Sequence, residues 1–410
     1  MTLQPELAAP DTYIHLDEQH GAHNYHPMPV VLERGSGVKV WDVEGKEYFD
    51  FLSGYSALNQ GHCHPRLLRV ITEQASKLTL TSRAFHHSLF GKFCKKITEL
   101  FQYDKVLPMN TGVEAVETSI KLARRWGYQV KKVPEGQAVM VVCHQNFHGR
   151  TSTVISFSSD ENAKGGFGPY ATGFISIPFN DIEALTTAVQ NKNVVAFLVE
   201  PIQGEAGVVI PADGYLQMAY NICRQHKVLF IADEIQTGIG RTGKMLACDH
   251  ENVHPDILLL GKALGGGVLP VSAVLADDEI MLTIQPGQHG STFGGNPLAC
   301  AVAMEALDIV IEEDLASNAH KMGEMFRERF RGSDQKHLKE IRGKGLLNAV
   351  ELRSGDENDA MKLALRFMQN GLLAKPTQGT KIRLSPPLVI NAQEMDSALR
   401  IIMQSFEVLD

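Results

Sequence analysis

Short apolar runs alternate with amphipathic stretches between about residues 105 and 300. This alternation is typical of a parallel β-sheet whose strands are connected by crossover helices. The clearest unit begins with the apolar run AFLVEP (196–201) and ends with a second run, VLFIADEI (228–235). A third buried strand is predicted in DILLLGKA (256–263), and the pattern as a whole indicates an α/β fold.

The segment between the first two runs has the periodicity of an amphipathic helix from about Gly214 to Gln225. Asp213 is a residue type that favours the N-cap position, and we expect it to cap this helix. The predicted buried face repeats at helical spacing and consists of Leu216, Ala219, Tyr220 and Cys223.

The two ends of the chain follow a different pattern. Short strands are predicted in VKVWDVEGKEYFDF (38–51), near the N-terminus. Helical stretches begin at about residue 305, and further strands are predicted in GKGLLNAVEL (343–352) and KIRLSPPL (381–388). These segments predict a smaller α+β domain after the large α/β region.

The composition is that of a globular protein and excludes several classes of partner. The chain has 410 residues, of which 44% are hydrophobic and 21% are charged. With 39 Lys and Arg against 47 Asp and Glu, the net charge is −8, which gives no electrostatic reason to expect nucleic acid or an anionic membrane. No apolar run approaches the roughly 18 residues that a membrane span needs.

Six scattered cysteines without a Cys-x-x-Cys pair fit free thiols in a reducing compartment. The first positively charged side chain is Arg34, so the N-terminus lacks the pattern of a signal or transit peptide. We therefore expect a cytoplasmic protein, or one from the mitochondrial matrix if a transit peptide has been removed.

Three predicted strand ends carry residues suited to chemistry: Glu200, Asp233 and Lys262. Ligands of open parallel sheets bind just beyond the carboxyl ends of the strands. Lys262 closes an apolar run and precedes three glycines within five residues, so partial loss of water would lower its pKa and give a usable amine nucleophile. A strand-end Asp is also often a helix cap, and a single Lys is usually a solvated surface residue.

A second candidate is the segment MNTGVEAVETSIKLARRWG (109–127). Thr111 and Glu114 form a predicted capping box, and the helix is predicted from Val113 to Gly127, with Gly127 in a C′-like position. The N–H groups and the dipole at such an N-terminus suit a phosphate. An ordinary capped helix fits the segment equally well.

Three other motif-like strings do not carry the chemistry. GIGRTG (238–243) matches a dinucleotide-binding pattern, but it does not run directly from a strand into a helix. The same stretch is close to a phosphate-binding loop, but Met245 stands where that loop needs a hydroxyl group for Mg²⁺. His62-Cys63-His64 lacks a matching ligand pair, and the pair His144 and His148 lacks the glutamate of a zinc-binding helix. We predict no metal site.

The ordered motifs of the chain resemble those of class III pyridoxal-phosphate aminotransferases over nearly the whole length. The motifs that carry this resemblance are MNTGVEAVE, NFHGRT, VEPIQGEAG, VLFIADEIQTG, LLLGKALGGG and HGSTFGGNPLA. Within that class the chain looks most like the ornithine δ-aminotransferases, on the segments GAHNYHPMPVVLERG, FLSGYSALNQGHCHP, TLTSRAFHHS and RGKGLLNA.

The resemblance implies fold type I of pyridoxal-phosphate-dependent transferases, with a mixed, mostly parallel seven-stranded sheet between helices and a smaller C-terminal α+β domain. It divides the chain into an N-terminal segment (1–55) that packs with the small domain and a partner subunit, a large cofactor-binding domain (56–305) and a small domain (306–410). The implied assembly is a homodimer, or a higher homo-oligomer, with shared active sites.

The resemblance also implies how pyridoxal 5'-phosphate would be bound. Lys262 would bind the cofactor covalently and later shuttle a proton, and Asp233 would pair with the pyridine nitrogen. The other implied cofactor-binding residues are Thr111, Gly112, Val113, Phe147, His148 and Gln236, with Ser291 and Thr292 reaching the phosphate of the neighbouring subunit.

The implied reaction transfers the δ-amino group of ornithine to 2-oxoglutarate, which yields glutamate. Arg383 resembles the arginine that binds the α-carboxylate of glutamate, and Glu205 the glutamate that masks this charge while ornithine is bound. Arg150 would hold the distal carboxylate of glutamate or 2-oxoglutarate, and Tyr25 and Tyr55 would line the ornithine pocket.

One departure from the resemblance leaves the substrate open. His148 stands where animal members of the group carry Trp, and the string FHGR also occurs in acetylornithine and 4-aminobutyrate aminotransferases. N-acetylornithine or 4-aminobutyrate is therefore the alternative amino donor. The pair of Glu205 and Arg383 disfavours aminomutases and decarboxylases, and the presence of both Lys262 and Asp233 disfavours a non-catalytic binding protein.

Overall fold

A computed structural model of the protein describes residues 9–333 and 335–410. The first eight residues of the predicted N-terminal segment (1–55) lie outside this range. The helices are α1 Pro10–His20, α2 Ser53–Ser56, α3 Pro65–Ala75, α4 Phe90–Phe101, α5 Gly112–Gln129, α6 Ser152–Ile155, α7 Glu161–Lys164, α8 Ile182–Ala188, α9 Tyr215–Gln225, α10 Asp278–Met281, α11 Pro297–Glu312, α12 Leu315–Phe330, α13 Glu357–Gln369 and α14 Ala392–Ser405. Short 3-10 helices span Cys248–Glu251, Lys262–Gly265 and Phe406–Leu409.

The strands form three sheets. They are β1 Leu32–Ser36, β2 Lys39–Asp42, β3 Glu47–Asp50, β4 Lys105–Met109, β5 Val139–Cys143, β6 Phe174–Ile177, β7 Val194–Val199, β8 Leu229–Asp233, β9 Ile257–Leu260, β10 Ser272–Ala276, β11 Leu338–Lys344, β12 Leu347–Leu352, β13 Leu372–Leu373, β14 Lys375–Thr377 and β15 Lys381–Leu384.

The central sheet has seven strands in the order β4-β10-β9-β8-β7-β5-β6. Strand β10 pairs antiparallel with both β4 and β9, and the remaining pairs are parallel. Strands β7, β8 and β10 are buried along their whole length, because helices cover both faces of the sheet. The predicted α/β fold, with its mixed and mostly parallel seven-stranded sheet, is confirmed.

Two predictions about the helices of this layer are wrong. Helix α9 begins at Tyr215, and its N-cap is Gly214, with φ +81°, rather than Asp213. Helix α5 continues to Gln129, so Gly127 lies inside it and not beyond its end. A Cβ atom at Gly127 would approach the side chain of Val195 in β7 to 2.3 Å, so this glycine allows close packing of helix on sheet.

The two smaller sheets lie at the ends of the chain. Strands β11-β12-β15-β14 form an antiparallel sheet of four strands in the C-terminal region. The N-terminal sheet has the order β1-β2-β3-β13, and β13 pairs in parallel with β3. The N-terminal segment is thus joined to the small domain by main-chain hydrogen bonds. Helix α11 runs continuously through the predicted domain boundary at residue 305.

Within residues 9–333 and 335–410, every helix is too short or too polar to span a bilayer. All six cysteines are free thiols, and four of them are buried.

Candidate active site

The side chains that could take part in catalysis lie where three parallel strands end side by side. Glu200 follows β7, Asp233 ends β8, and Lys262 lies two residues beyond β9. These strands are neighbours in the central sheet, so their carboxyl ends meet at one edge. They face a cavity lined by Gly112, Val113, Phe147, His148, Gly149, Glu200, Ile202, Glu205, Asp233, Ile235, Gln236, Thr237 and Lys262.

Lys262 combines an unusual backbone with a perturbed amine. Its φ is +42°, in the left-handed region that side-chain-bearing residues seldom adopt. Loss of hydration lowers the pKa of Lys262, and the charge of Arg383 lowers it further, against the opposing charge of Glu205. The neutral amine, which is the nucleophilic form, is therefore more populated than in water.

Asp233 is fixed by two hydrogen bonds inside the cavity. His148 Nδ1 lies 2.6 Å from Asp233 Oδ2, and the Ile235 amide donates to Oδ1 at 3.1 Å. Burial alone would lower the pKa of His148, but the hydrogen bond and the charge of Asp233 raise it above its ordinary value. Asp233 and His148 thus form a buried, hydrogen-bonded pair at the base of the cavity.

Glu200 is a third acidic group at the same edge. It is buried and accepts a hydrogen bond from the Phe147 amide at 3.0 Å. Burial raises the pKa of Glu200 to about 7, aided by the negative charges of Asp233 and Glu205 and opposed by His148. Its carboxyl group also fixes the loop that places Phe147 at the cavity wall.

The N-terminus of α5 forms the opposite end of the cavity. The predicted capping box is present: the Thr111 hydroxyl accepts from the Glu114 amide, and the Glu114 carboxylate accepts from the Thr111 amide. The amides of Gly112 and Val113 belong to the first turn, where N–H groups have no acceptor within the helix. They line the cavity, so the site has a built-in position for an anion.

Ser291 and Thr292 lie outside the cavity of their own chain. Asn110 Nδ2 donates to Ser291 Oγ at 2.9 Å, and the Gly294 amide donates to the same atom at 2.9 Å. Thr292 is exposed. Their predicted contact with a neighbouring subunit's phosphate stays a prediction.

Arg383 enters the cavity region from the small domain and meets Glu205. The side chain of Arg383 is 2% exposed, and its Nη1 lies 2.6 Å from Glu205 Oε1. Gln236 Nε2 donates to the same Glu205 oxygen at 3.1 Å. Burial would raise the pKa of Glu205, but Arg383 and Lys262 hold it below its ordinary value. The guanidinium charge is therefore neutralised by an ionised partner.

Gly204 makes room for this arrangement. A Cβ atom at position 204 would lie 1.5 Å from Gln236 Oε1, so a side chain there would displace Gln236. The string QGEAG thus supplies both the carboxylate of Glu205 and the space that its amide partner occupies.

Tyr55 covers Arg383 from α2, whose backbone is a left-handed turn and not a right-handed α-helix. The φ angles of Ser53, Gly54, Tyr55 and Ser56 are +50°, +57°, +60° and +68°. Left-handed helical backbone costs residues other than glycine about 1–2 kcal/mol each, so the turn needs support from its surroundings. The Arg383 guanidinium lies 5.4 Å from the centre of the Tyr55 ring. Burial and the charge of Glu205 raise the pKa of Tyr55.

Tyr25 and Arg150 lie at the open side of the site. Both are exposed, Tyr25 to 63%. The charge of Arg150 opposes the rise in the pKa of Tyr55, and the Arg150 guanidinium lies 5.7 Å from the Phe147 ring centre. Their predicted contacts with the substrate stay a prediction.

The residues present fit pyridoxal phosphate. One cavity is bordered by groups for each part of the cofactor. Asp233 offers a carboxylate for the pyridinium nitrogen, Lys262 an amine for the aldehyde, and Phe147 an aromatic wall. Gly112 and Val113 offer main-chain donors for the phosphate. Among the described residues, no group of three or more His, Cys, Asp and Glu side chains could hold a metal ion.

Sequence reasoning missed several residues of the site. Ile202, Ile235 and Thr237 line the cavity; Ile235 ends one predicted strand, and Ile202 and Thr237 follow a predicted strand by one and two positions, which was the available signal. The left-handed turn at Tyr55 had no such signal, because only one of its four residues is glycine.

Comparison with known proteins gives concordant results. Residues 20–406 match the family model described as aminotransferase class-III. The chain is 57% identical to the mitochondrial ornithine aminotransferase of Rattus norvegicus over 94% of this chain and 88% of that protein. The structure of the ornithine aminotransferase of Toxoplasma gondii, described with partial occupancy of PLP at its active site, superposes with a TM-score of 0.96 at 48% identity and covers 98% of this chain and 95% of that one. A structure named acetylornithine aminotransferase, from Elizabethkingia anophelis, has a TM-score of 0.89 at 52% identity, with coverage of 98% and 99%.

Proposed function

The chain belongs to the class-III aminotransferase family, and we propose that it transfers the δ-amino group of L-ornithine to 2-oxoglutarate. The products are glutamate and glutamate-5-semialdehyde, which cyclises to pyrroline-5-carboxylate. The family is pyridoxal-phosphate-dependent, and the bound cofactor withdraws electrons from the carbon that carries the transferred amine.

The pairing of Glu205 with Arg383 is the observation that carries this proposal. Two different substrates must use one site: ornithine presents its side-chain amine, whereas glutamate presents its α-amine together with a carboxylate. With Glu205 in place, the cation of Arg383 is neutralised at 2.6 Å, and the pocket suits an amine without an adjacent carboxylate. When Glu205 moves away, Arg383 offers two parallel donors to the α-carboxylate of glutamate.

Lys262 and Asp233 would perform the proton chemistry. The Lys262 amine, with its lowered pKa, would hold the cofactor's aldehyde group and would move a proton at the substrate carbon. Asp233, held by His148, would keep a proton on the pyridine nitrogen. Phe147 would stack on the ring, Gln236 would bond its phenolic oxygen, and Thr111, Gly112 and Val113 would hold the phosphate.

Arg150, Tyr25 and Tyr55 would fix the end of the substrate remote from the reacting amine. Arg150 would bind the distal carboxylate of glutamate or 2-oxoglutarate. Tyr25 and Tyr55 would contact the amino acid end of ornithine, where a hydroxyl can bond a free amine or carboxylate.

A second candidate donor is N-acetylornithine. The observation that favours it is His148 in the string FHGR, together with the 52% identity to a structure named acetylornithine aminotransferase. A free α-amine and an acetylated one differ at the Tyr25 end of the pocket, so the two donors can be separated by direct comparison.

The active unit is proposed to be a homodimer in a reducing compartment, either the cytoplasm or the mitochondrial matrix. Support for the dimer comes from Ser291 and Thr292, which lie outside their own cavity on a loop beside the N-terminus of α5. Large exposed apolar side chains near this region, Phe85 and Phe293, are 72% and 56% exposed. A second subunit would cover them.

The test is to supply the cofactor-loaded enzyme with ornithine, N-acetylornithine or 4-aminobutyrate in separate reactions without 2-oxoglutarate, so that the cofactor keeps the transferred amine. We expect the fastest loss of the cofactor's visible aldehyde-form absorbance with ornithine, and pyrroline-5-carboxylate as the product detected by mass spectrometry. Faster reaction with N-acetylornithine would replace the proposed donor. A protein that takes up no pyridoxal phosphate would contradict the reaction as a whole.

A further inference from the structure

The left-handed turn Ser53–Ser56 is held from one side by a single carboxylate. Asp50 Oδ1 accepts hydrogen bonds from the amides of Leu52 at 2.9 Å and Ser53 at 2.8 Å. These are the two amides at which the chain leaves β3 and enters the turn. Because both bonds go to one oxygen, the direction of that carboxylate sets where the turn begins.

His62 fixes the direction of this carboxylate. His62 Nε2 lies 2.7 Å from Asp50 Oδ2, and the two side chains are 20% and 10% exposed. The backbone of His62 is itself fixed by reciprocal hydrogen bonds with Gly37, at 2.8 and 2.9 Å. A Cβ atom at Gly35 would lie 2.8 Å from the His62 ring, so that glycine provides the space in which the ring lies.

The turn is also bonded to Ser385, the residue that directly follows β15, the strand of Arg383. The Ser385 amide donates to the Phe51 carbonyl at 2.8 Å, and Ser56 Oγ donates to Ser385 Oγ at 3.1 Å. Tyr55 sits between these attachments, with its ring over Arg383. A change in the turn would therefore move the Tyr55 ring relative to the guanidinium.

We propose that Asp50 and His62 are positioning residues that hold the left-handed turn Ser53–Ser56 and so place Tyr55 over Arg383. Neither side chain lines the cavity, so both act on the substrate through Tyr55. The expected consequence is selectivity between amino donors, and this part rests on the proposed function. The mechanical part of the proposal, that Asp50 and His62 hold the turn, does not rest on the proposed function.

The mechanical part is tested by hydrogen exchange in the cofactor-loaded enzyme, read on a peptide covering residues 50–60. His62→Asn leaves a side chain too short to reach Asp50, so we expect the amides of Ser53, Ala57 and Leu58 to exchange faster. His64→Asn is the matched control: His64 caps α3 and pairs with Glu313, and Asn is also a good N-cap. The control should leave the exchange of this peptide unchanged.

The selectivity part is tested by kinetics in a double-mutant cycle with Tyr55→Leu. We expect His62→Asn to lower the ratio of kcat/KM for ornithine to that for 4-aminobutyrate about tenfold, mainly through KM for ornithine. In the Tyr55→Leu background, the same change should have no further effect on the ratio. Asp50→Asn keeps an oxygen for the two amides but weakens the contact with His62. If His62→Asn fails to fold, Asp50→Asn replaces it in both tests.

Three results would overturn the inference. Unchanged exchange in His62→Asn would show that the pair does not hold the turn. Faster exchange with an unchanged ratio would show that the turn does not set selectivity, and an additive effect with Tyr55→Leu would show that His62 does not act through Tyr55. A wild-type enzyme that does not react with ornithine would contradict the proposed donor alone, because hydrogen exchange measures the stability of the turn without any substrate.

Discussion

At the scale of single residues, three acidic side chains share one cavity and differ in their partners. Asp233 is paired with His148, Glu205 with Arg383, and Glu200 accepts a main-chain hydrogen bond. Asp233 and Glu205 thus each contact a basic side chain directly, whereas Glu200 contacts a main-chain amide. Burial leaves Glu200 close to its titration point at neutral pH, whereas Arg383 and Lys262 hold the pKa of Glu205 below its ordinary value.

Glu200 makes the stability of the protein depend on pH. Its pKa is about 7 in the folded protein against an ordinary value of 4.5, so the folded state binds the proton more tightly. The free energy of unfolding should therefore fall by up to about 3 kcal/mol from this group as the pH rises from 4.5 to 7. In Glu200→Gln this contribution disappears, because the amide does not titrate.

The check is chemical unfolding of the cofactor-free wild type and Glu200→Gln at several pH values. We expect the variant to gain stability relative to the wild type as the pH rises. A difference that is independent of pH would show that Glu200 titrates in the folded protein as it does in water.

Lys262 is the residue without which the reaction should stop. In Lys262→Ala we expect less than about 10⁻³ of the wild-type activity and loss of the covalent cofactor's visible absorbance, with the thermal midpoint of the cofactor-free protein unchanged. Lys95→Ala is the control, because Lys95 is 73% exposed and pairs with Glu99 one helical turn away. Substantial activity in Lys262→Ala would remove the lysine from the mechanism.

At the scale of elements, α5 shows what the sequence could predict and what it could not. The capping box of Thr111 and Glu114 is a local pattern, so it was predictable, and so were the strand ends that carry Asp233 and Lys262. The role of Gly127 was not, because it depends on Val195, which lies far away in the sequence. The turn at Tyr55 was missed because its support combines two nearby residues in no recognised local pattern, Asp50 and His62, with Ser385, which lies far away in the sequence.

Two helical glycines provide a matched test of this packing. Gly127→Ala should destabilise the protein by about 1–3 kcal/mol, because the added methyl group overlaps Val195. Gly91 in α4 has no atom within 4 Å of an added Cβ, so Gly91→Ala should be neutral or stabilising by up to about 1 kcal/mol. Denaturant unfolding measures both. Equal effects of the two substitutions would contradict the packing argument.

At the scale of the whole molecule, the active site is assembled from distant parts of the chain. Tyr55 comes from the N-terminal region, Asp233 and Lys262 from the central sheet, and Arg383 from the C-terminal sheet. Periodicity predicted the central sheet, but not how the other parts meet it. The family resemblance supplied that arrangement, and the family is confirmed over residues 20–406.

The proposed sharing of sites between subunits predicts complementation. Lys262→Ala subunits lack the amine, and subunits with both Ser291→Ala and Thr292→Val lack the phosphate contacts that they would give a neighbour. Each should be nearly inactive alone. Mixed dimers formed by co-expression should contain one native site, so a random mixture should regain about a quarter of wild-type activity. No gain on mixing would contradict the shared site.

The central claim is that Glu205 masks Arg383 so that one pocket accepts two unlike substrates. Its most direct test is the rate of each half-reaction, followed separately by the absorbance of the cofactor, in the wild type, Glu205→Ala and the exposed control Glu328→Ala. Glu205→Ala should react faster with glutamate and more slowly with ornithine, so that the ratio of the two rates moves at least about tenfold towards glutamate. An unchanged ratio in Glu205→Ala would contradict the account.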